Sequence, residues 1–392
     1  MITFARAVRE ALPHGLDGLP LSSISLLDYK DELEVKRNAF QAFCEQNGLP
    51  PFESDVVASP LPRGYRTTTK RRASFERGVF KLSFAEDTEE NTAFSESLEP
   101  AEHLAIYDFV ENFLSKPAFK ILAESLNWVI LRGSYKKRSV IFNVFQMDAG
   151  VVRKLKLISA HLQASEFAVI SAHVYYDPTH SDYYLEAMRP TDSLAFKTLY
   201  GPKDLSLDLG AFRLKYPVTG FSQINESQIP NFLSSAAELL KPAPDEALLD
   251  LYCGYGLFSF GIGANAKSTL GIEWEGLSIE YAKASAKFLK RMNARFLAGS
   301  INSEFVEHSI PKEFAPEVML LDPPRKGTEP GVIAALAKRN PRRVLHVFCG
   351  TDEIPRAMNQ WRLAHYKIMQ MRVLDLFPGT PHLETMVLLE KA

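Results

Sequence analysis

Cysteine is scarce in this chain: Cys44, Cys253 and Cys349 are the only three in 392 residues. An odd, widely spaced trio excludes a disulfide framework and any four-cysteine zinc or iron–sulfur centre. No apolar run approaches the ~20 residues that span a bilayer. The opening Met1-Ile2-Thr3-Phe4-Ala5-Arg6 lacks the apolar stretch of a secretion signal. A monomeric cytoplasmic protein with no membrane attachment and no metal is expected. An excess of one charge is missing too. Lys and Arg number 45 against 47 Asp and Glu, a net charge of −2, so no global field draws in nucleic acid.

What is present is the balance of a soluble globular enzyme, 46% hydrophobic and 23% charged. The length suits two to three domains. One local basic patch stands out: Arg63, Arg66, Lys70, Arg71 and Arg72, with Tyr65 among them and Phe75 just beyond. It reads either as a charged strand edge that resists aggregation or as a phosphate-binding surface.

The pattern divides the chain in three. Residues 1–52 read as an N-terminal helical extension: a short strand and turn, then an amphipathic helix over 28–46 that Asn47-Gly48-Leu49-Pro50-Pro51 ends. Residues 53–204 read as a mixed α+β domain, with strands over 74–84 and 140–145 and a helical period over 100–125. The acidic run Glu86-Asp87-Thr88-Glu89-Glu90 is expected to be a solvated loop. From 205 to 392, strands over 247–252, 268–273, 317–322 and 343–349 alternate with helices such as 278–293 and 331–339. That alternation predicts a parallel, doubly wound sheet. The last two strands, 367–374 and 384–390, have no helix between them, which suits an antiparallel final strand. There is no internal repeat and no low-complexity segment.

Within that last domain, Asp250-Leu251-Tyr252-Cys253-Gly254-Tyr255-Gly256 is a strand running into a glycine turn and a helix. Glycines let a ligand approach the backbone, and the helix N-terminus offers free N–H groups. Glu273, at the end of the next strand, could hold ribose hydroxyls. A nicotinamide-dependent oxidoreductase would show similar logic. Ser259, however, replaces the third glycine of the dinucleotide fingerprint, so a nucleoside cofactor without a pyrophosphate fits better. Asp322-Pro323-Pro324-Arg325 forms a stiff shelf at the carboxyl end of the 317–322 strand, where ligands bind in open α/β sheets. Cys349 sits where the 343–349 strand breaks, and Glu384 opens the last strand 35 residues further on. A lone cysteine is more often core than catalyst. Beside a cofactor site, a thiol and a carboxylate at one sheet edge could serve as nucleophile and base.

The ordered set Phe221-Ser222-Gln223-Ile224-Asn225, the 250–256 turn, Asp322-Pro323-Pro324-Arg325-Lys326-Gly327, Phe348-Cys349-Gly350, Asp375-Leu376-Phe377-Pro378 and His382-Leu383-Glu384-Thr385 resembles the RNA uracil-5-methyltransferase family. Ser59-Pro60 with Gly64-Tyr65-Arg66 is similar to that family's RNA-facing domain. The resemblance implies a Rossmann-like class I methyltransferase sheet preceded by an α+β RNA-binding domain. It implies S-adenosylmethionine as cofactor, held by Gln223, Tyr252, Gly254, Gly256, Glu273 and Asp322, with Cys349 as nucleophile and Glu384 as base. Phe221 and Arg325 would face the target base, and Arg63, Arg66, Lys70, Arg71 and Arg72 the RNA phosphates. One departure stands out: relatives usually carry Ser-Cys-Asn-Pro around the nucleophile, and this chain has Phe348-Cys349-Gly350-Thr351. A catalytically silent RNA-binding relative is the alternative from another class. The small share of chain before Ser59 favours a compact transfer RNA arm over ribosomal RNA as substrate.

Overall fold

The computed structural model describes residues 2–16, 18–84, 94–179, 196–274, 276–312 and 315–392. The expected acidic loop at 86–90 lies outside them. The chain folds as two compact units, one made of residues 1–62, 209–214 and 227–392 and the other of 63–208 and 215–226.

The first unit opens with two helices, α1 (Phe4–Ala11) and α2 (Tyr29–Gln46). The short strand expected near the start is instead α1. Thr3 caps it by accepting the Arg6 N–H, and Phe4, Ala7 and Val8 bury one helical face. Phe4 packs edge-on against Phe40 and Phe43 of α2, with ring centroids 6.2 and 5.9 Å apart.

The second unit is built on a six-stranded sheet in the order β2-β1-β3-β4-β5-β6. Its strands are β1 (Thr68–Glu76), β2 (Val79–Ser83), β3 (Leu126–Gly133), β4 (Arg138–Val144), β5 (Val169–Tyr176) and β6 (Phe196–Tyr200). The single strand expected over 74–84 is a β1–β2 hairpin, because Arg77 and Gly78 both take positive φ and reverse the chain. Helices Ala101–Leu114 and Ala149–Ala164 supply the apolar side chains, Val110 and Leu155 among them, that cover one sheet face.

Two short strands, β7 (Asp204–Asp208) and β8 (Arg213–Pro217), follow. The first unit then resumes with β9 (Ala247–Leu251), β10 (Ser268–Glu273), β11 (Ala294–Ala298), β12 (Glu317–Leu321), β13 (Arg343–Phe348), β14 (Tyr366–Leu374) and β15 (Glu384–Lys391). The seven form one sheet in the order β11-β10-β9-β12-β13-β15-β14. Strands β9 to β13 are parallel, and β15 runs antiparallel between β13 and β14. This is the α/β sheet with a reversed last strand that the alternation predicts. The central strands β9 and β12 are buried along their whole length, which is why they read as unbroken apolar runs. Strand β11 is the one the pattern does not announce: as a partly exposed edge strand, it is neither apolar throughout nor cleanly alternating.

Candidate active site

The cradle begins at the end of β9. Tyr252 takes φ +63°, Gly254 +56° and Gly256 +93°. Left-handed backbone is costly at tyrosine and free at glycine. At Gly256 a Cβ would also lie 2.6 Å from the Phe260 ring, whereas at Gly254 nothing stands within 4 Å. Gly256 therefore allows the turn to pack, and Gly254 faces open space. Glu273 ties that turn to the next strand: its carboxylate accepts the Gly254 N–H at 2.8 Å and the Trp274 N–H at 2.8 Å.

Beneath the turn, Asp250 is fully buried. One carboxylate oxygen accepts the Ser259 hydroxyl at 2.5 Å, and the other has no hydrogen-bond partner. Ser259, which in the sequence marks only a missing glycine, is thus the cap of a buried acid. Burial, opposed by Ser259, pushes Asp250 up to about 7. Asp322, at the end of β12, is also pushed up to about 7, by burial and then by the charges of Asp250 and Glu273.

The reversed strand supplies the second half of the site. The β13–β15 ladder pairs Phe348 with Thr385, so the same register carried one step further sets Cys349 opposite Glu384. Had β15 run parallel, its first residue would lie at the far edge of the sheet. Glu384 is buried, and burial followed by the Asp322 charge lifts its carboxyl well above the usual range. The Cys349 thiol is pushed up to about 12, by burial first and then by Glu384 and Asp322, with Arg325 opposing. Cys44 and Cys253 are buried, and Cys349 alone of the three keeps some exposure.

The 323–327 shelf closes against the Cys349 turn. A Cβ at Gly350 would lie 2.7 Å from the Arg325 carbonyl oxygen, so only glycine permits this approach. Gly327 (φ +78°) packs under Glu353, which pairs with Arg356 at 2.6 Å. Pro323, Arg325, Phe348, Cys349 and Glu353 line a shallow crevice, part of it open to solvent. Arg325 donates to the His382 Nδ1 at 3.2 Å on the exposed side. The structure thus brings together Cys349, Glu384, Asp322, Arg325, Tyr252, Gly254, Gly256 and Glu273 in the first unit. Among the described residues, no three His, Cys, Asp or Glu side chains group as metal ligands, and no helix is long and apolar enough to cross a membrane.

Phe221 and Gln223 belong to the second unit, with Phe221 53% exposed. Arg132 pins their loop by donating to the Val218 carbonyl at 2.7 Å and the Ser222 hydroxyl at 3.3 Å. The basic patch is not uniform. Arg71 is buried and donates both arms of its guanidinium to Glu99, at 2.8 and 2.9 Å, beneath the Tyr107 ring. This corrects the expectation that Arg71 meets phosphates: its charge is already committed inside the fold. Alternation along β1 explains the split. Thr69 and Arg71 point inward, whereas Lys70 and Arg72 lie on the other face beside Trp128. Arg63 and Arg66 are half-buried, and Arg72 is exposed.

Residues 189–392 match the family model described as tRNA (Uracil-5-)-methyltransferase. An uncharacterized RNA methyltransferase of Clostridium acetobutylicum is 31% identical over 194 residues, covering 50% of this chain and 42% of that protein. Another, from Clostridium tetani, is 25% identical over 373 residues, covering 93% and 79%. A 23S rRNA (uracil(1939)-C(5))-methyltransferase of a Marinomonas species is 31% identical over 188 residues, 47% of this chain and 41% of that one. The chain thus spans about two fifths of the length of the relatives it matches at 31% identity. Among solved structures, Pyrococcus abyssi tRNA (uracil-54, C5)-methyltransferase in complex with S-adenosyl-L-homocysteine has the same fold. Its TM-score is 0.68 at 20% identity, over 94% of this chain and 86% of that one.

Proposed function

Because the chain belongs to the tRNA (uracil-5-)-methyltransferase family, we propose that it methylates carbon 5 of a uridine in RNA through a covalent cysteine–uracil adduct. The observation that carries this reading is the register of β13 and β15, which sets Cys349 opposite Glu384 beside Asp322. Carbon 5 of uracil is a weak nucleophile. The Cys349 thiol gives up its proton to solvent as its sulfur adds to carbon 6, which forms an S–C bond and moves the ring's double-bond electrons into an enolate, making carbon 5 electron-rich. Once carbon 5 is methylated, Glu384 takes its remaining proton. The electrons re-form the ring double bond, and the S–C bond breaks.

S-adenosylmethionine, when bound, supplies the electrophilic methyl group on a sulfonium. The site fits it on two grounds. An open glycine turn lies over a buried Asp250 oxygen that lacks a partner. In addition, Asp250, Asp322 and Glu384 all have raised pKa values, electrostatic strain that a cationic ligand relieves. Tyr252, Gly254, Gly256, Glu273 and Asp322 hold the cofactor in this reading. A base inside folded RNA must leave its stack to reach such a pocket, with Arg325 facing it. In the second unit, Arg63, Arg66, Lys70 and Arg72 are the proposed phosphate contacts.

Transfer RNA is the proposed substrate, supported by the family's description. The identity with a 23S rRNA methyltransferase favours ribosomal RNA as the second reading. The test is incubation of the purified protein with methyl-labelled S-adenosylmethionine and either RNA, followed by nucleoside analysis. The expected product is 5-methyluridine in transfer RNA, absent with Cys349→Ala although that variant still binds the cofactor. Product from Cys349→Ala would overturn the adduct, and labelling of ribosomal fragments alone would overturn the substrate.

A further inference from the structure

We infer that the N-terminal helices are a brace for the two catalytic turns, with Lys36 and Asp352 as positioning residues for Glu384 and Cys349. The inference rests on the roles proposed above for those two side chains. Two separate attachments carry it.

The first attachment is at the turn that leads to Glu384. Lys36 on α2 is completely buried, its ammonium 2.7 Å from Asp375 and 2.8 Å from Glu32 on the preceding turn of the helix. It also donates to the Phe377 carbonyl at 3.2 Å. Tyr29, on the same helix, donates to the other Asp375 oxygen at 3.1 Å and accepts the Ser59 N–H at 2.7 Å. Glu32 accepts the Gly379 N–H at 2.5 Å. Three side chains of one helix therefore grip residues 375, 377 and 379 of the link between β14 and β15. Val57 adds a bridge beside Leu374, with the Asp375 N–H donating to its carbonyl at 3.0 Å. The link delivers Glu384 as the first residue of its strand.

The second attachment is at the turn that follows Cys349. The Phe4 N–H, in the first turn of α1, donates to the Asp352 carboxylate at 2.6 Å. Asp352 lies in the 3-10 turn Thr351–Glu353, directly after Cys349-Gly350. Because α1 and α2 pack on each other through Phe4, Phe40 and Phe43, one hairpin holds both turns.

Cohesion alone is a poor reason for this construction. An ammonium and two carboxylates buried together recover little more than their desolvation, and an apolar trio would bind the helix as well. What the ionic trio adds is direction: it fixes particular carbonyl and amide groups of the link. Lys36 is held charged although burial opposes it, because Asp375 and Glu32 face it. Neither Lys36 nor Asp352 is among the groups whose charge bears on Glu384 or Cys349, so each acts through geometry.

The experiment compares Lys36→Met, Tyr29→Phe, Asp352→Ala and Asp352→Asn with the full-length wild type. The readouts are thermal melting, S-adenosylmethionine affinity, RNA KM, kcat and the fraction of protein held as RNA adduct. Lys36→Met is expected to lower kcat at least tenfold and to accumulate adduct, as loss of a well-placed base requires, with KM and cofactor affinity within twofold. Tyr29→Phe, which keeps the ion pairs and tests the idea should Lys36→Met fail to fold, is expected to slow adduct release about threefold. Asp352→Ala should slow adduct formation, and Asp352→Asn, which keeps an acceptor for Phe4, should restore it. Folded variants that form and release adduct at the wild-type rate would overturn the brace alone. A wild type that gives neither adduct nor 5-methyluridine would overturn the catalytic reading and the brace with it.

Discussion

At Gly350 the missing side chain decides how close the Arg325 carbonyl can come to the Cys349 turn. Gly350→Ala must push the shelf or the turn aside, because a Cβ at 2.7 Å from that oxygen is too close to stand. A displacement of that kind is expected to cost roughly 10- to 100-fold in kcat, with cofactor affinity little changed, in steady-state assays beside calorimetry. Single residues also set the proton chemistry. Burial, Glu384 and Asp322 push the Cys349 thiol up to about 12, so it is a thiol at neutral pH in the free protein. Its alkylation by iodoacetamide should climb with pH, roughly tenfold per unit, through pH 7 to 10. Asp322→Asn removes a carboxylate that raises the thiol's pKa, so the variant should alkylate faster at pH 8. The site is assignable by peptide mass spectrometry, since Cys44 and Cys253 are buried. A slower reaction in Asp322→Asn would reverse the sign argued here.

Among the elements, the β9–turn–helix cradle depends on a carboxylate from its neighbour. Glu273→Ala frees the Gly254 and Trp274 N–H groups together, and S-adenosylmethionine binding should weaken by about 1–3 kcal/mol, as for lost charge-assisted hydrogen bonds. Unchanged affinity by titration calorimetry would count against the cradle. The elements that carry this site were readable from the sequence. Strands β9, β10, β12 and β13 are apolar runs punctuated by Gly254, Glu273, Pro323 and Cys349, and buried parallel strands have few other ways to be written. α1 was not readable, because eight residues give too little period to separate a helix from a strand. Nor did the Lys36 grip show, since its partner Asp375 is 339 residues away. The local hint was Tyr29, Glu32 and Lys36 on one face of a helix, which reads equally well as a solvated stripe.

For the molecule as a whole, the basic patch in the second unit holds one charge committed to folding, Arg71, beside the charges proposed above for the RNA phosphates. Arg66→Glu with Arg72→Glu should weaken RNA binding and lower the slope of log affinity against log salt by roughly two, one per phosphate contact. Arg71→Glu should instead destabilise the protein by about 3–5 kcal/mol, since it sets a second carboxylate against buried Glu99. Chemical denaturation separates these outcomes. Phe4 bonds Asp352 across 348 residues, and Lys36 meets Asp375 across 339. At about 5–20 residues per second, a ribosome finishes α2 roughly 20–70 s before its anchor exists. Through that interval the phenylalanine face of the hairpin has no C-terminal partner to cover it. Nascent chains stalled before Asp375 should therefore be cut by protease within residues 2–62 and held by chaperones, and chains stalled well past Glu384 should resist both.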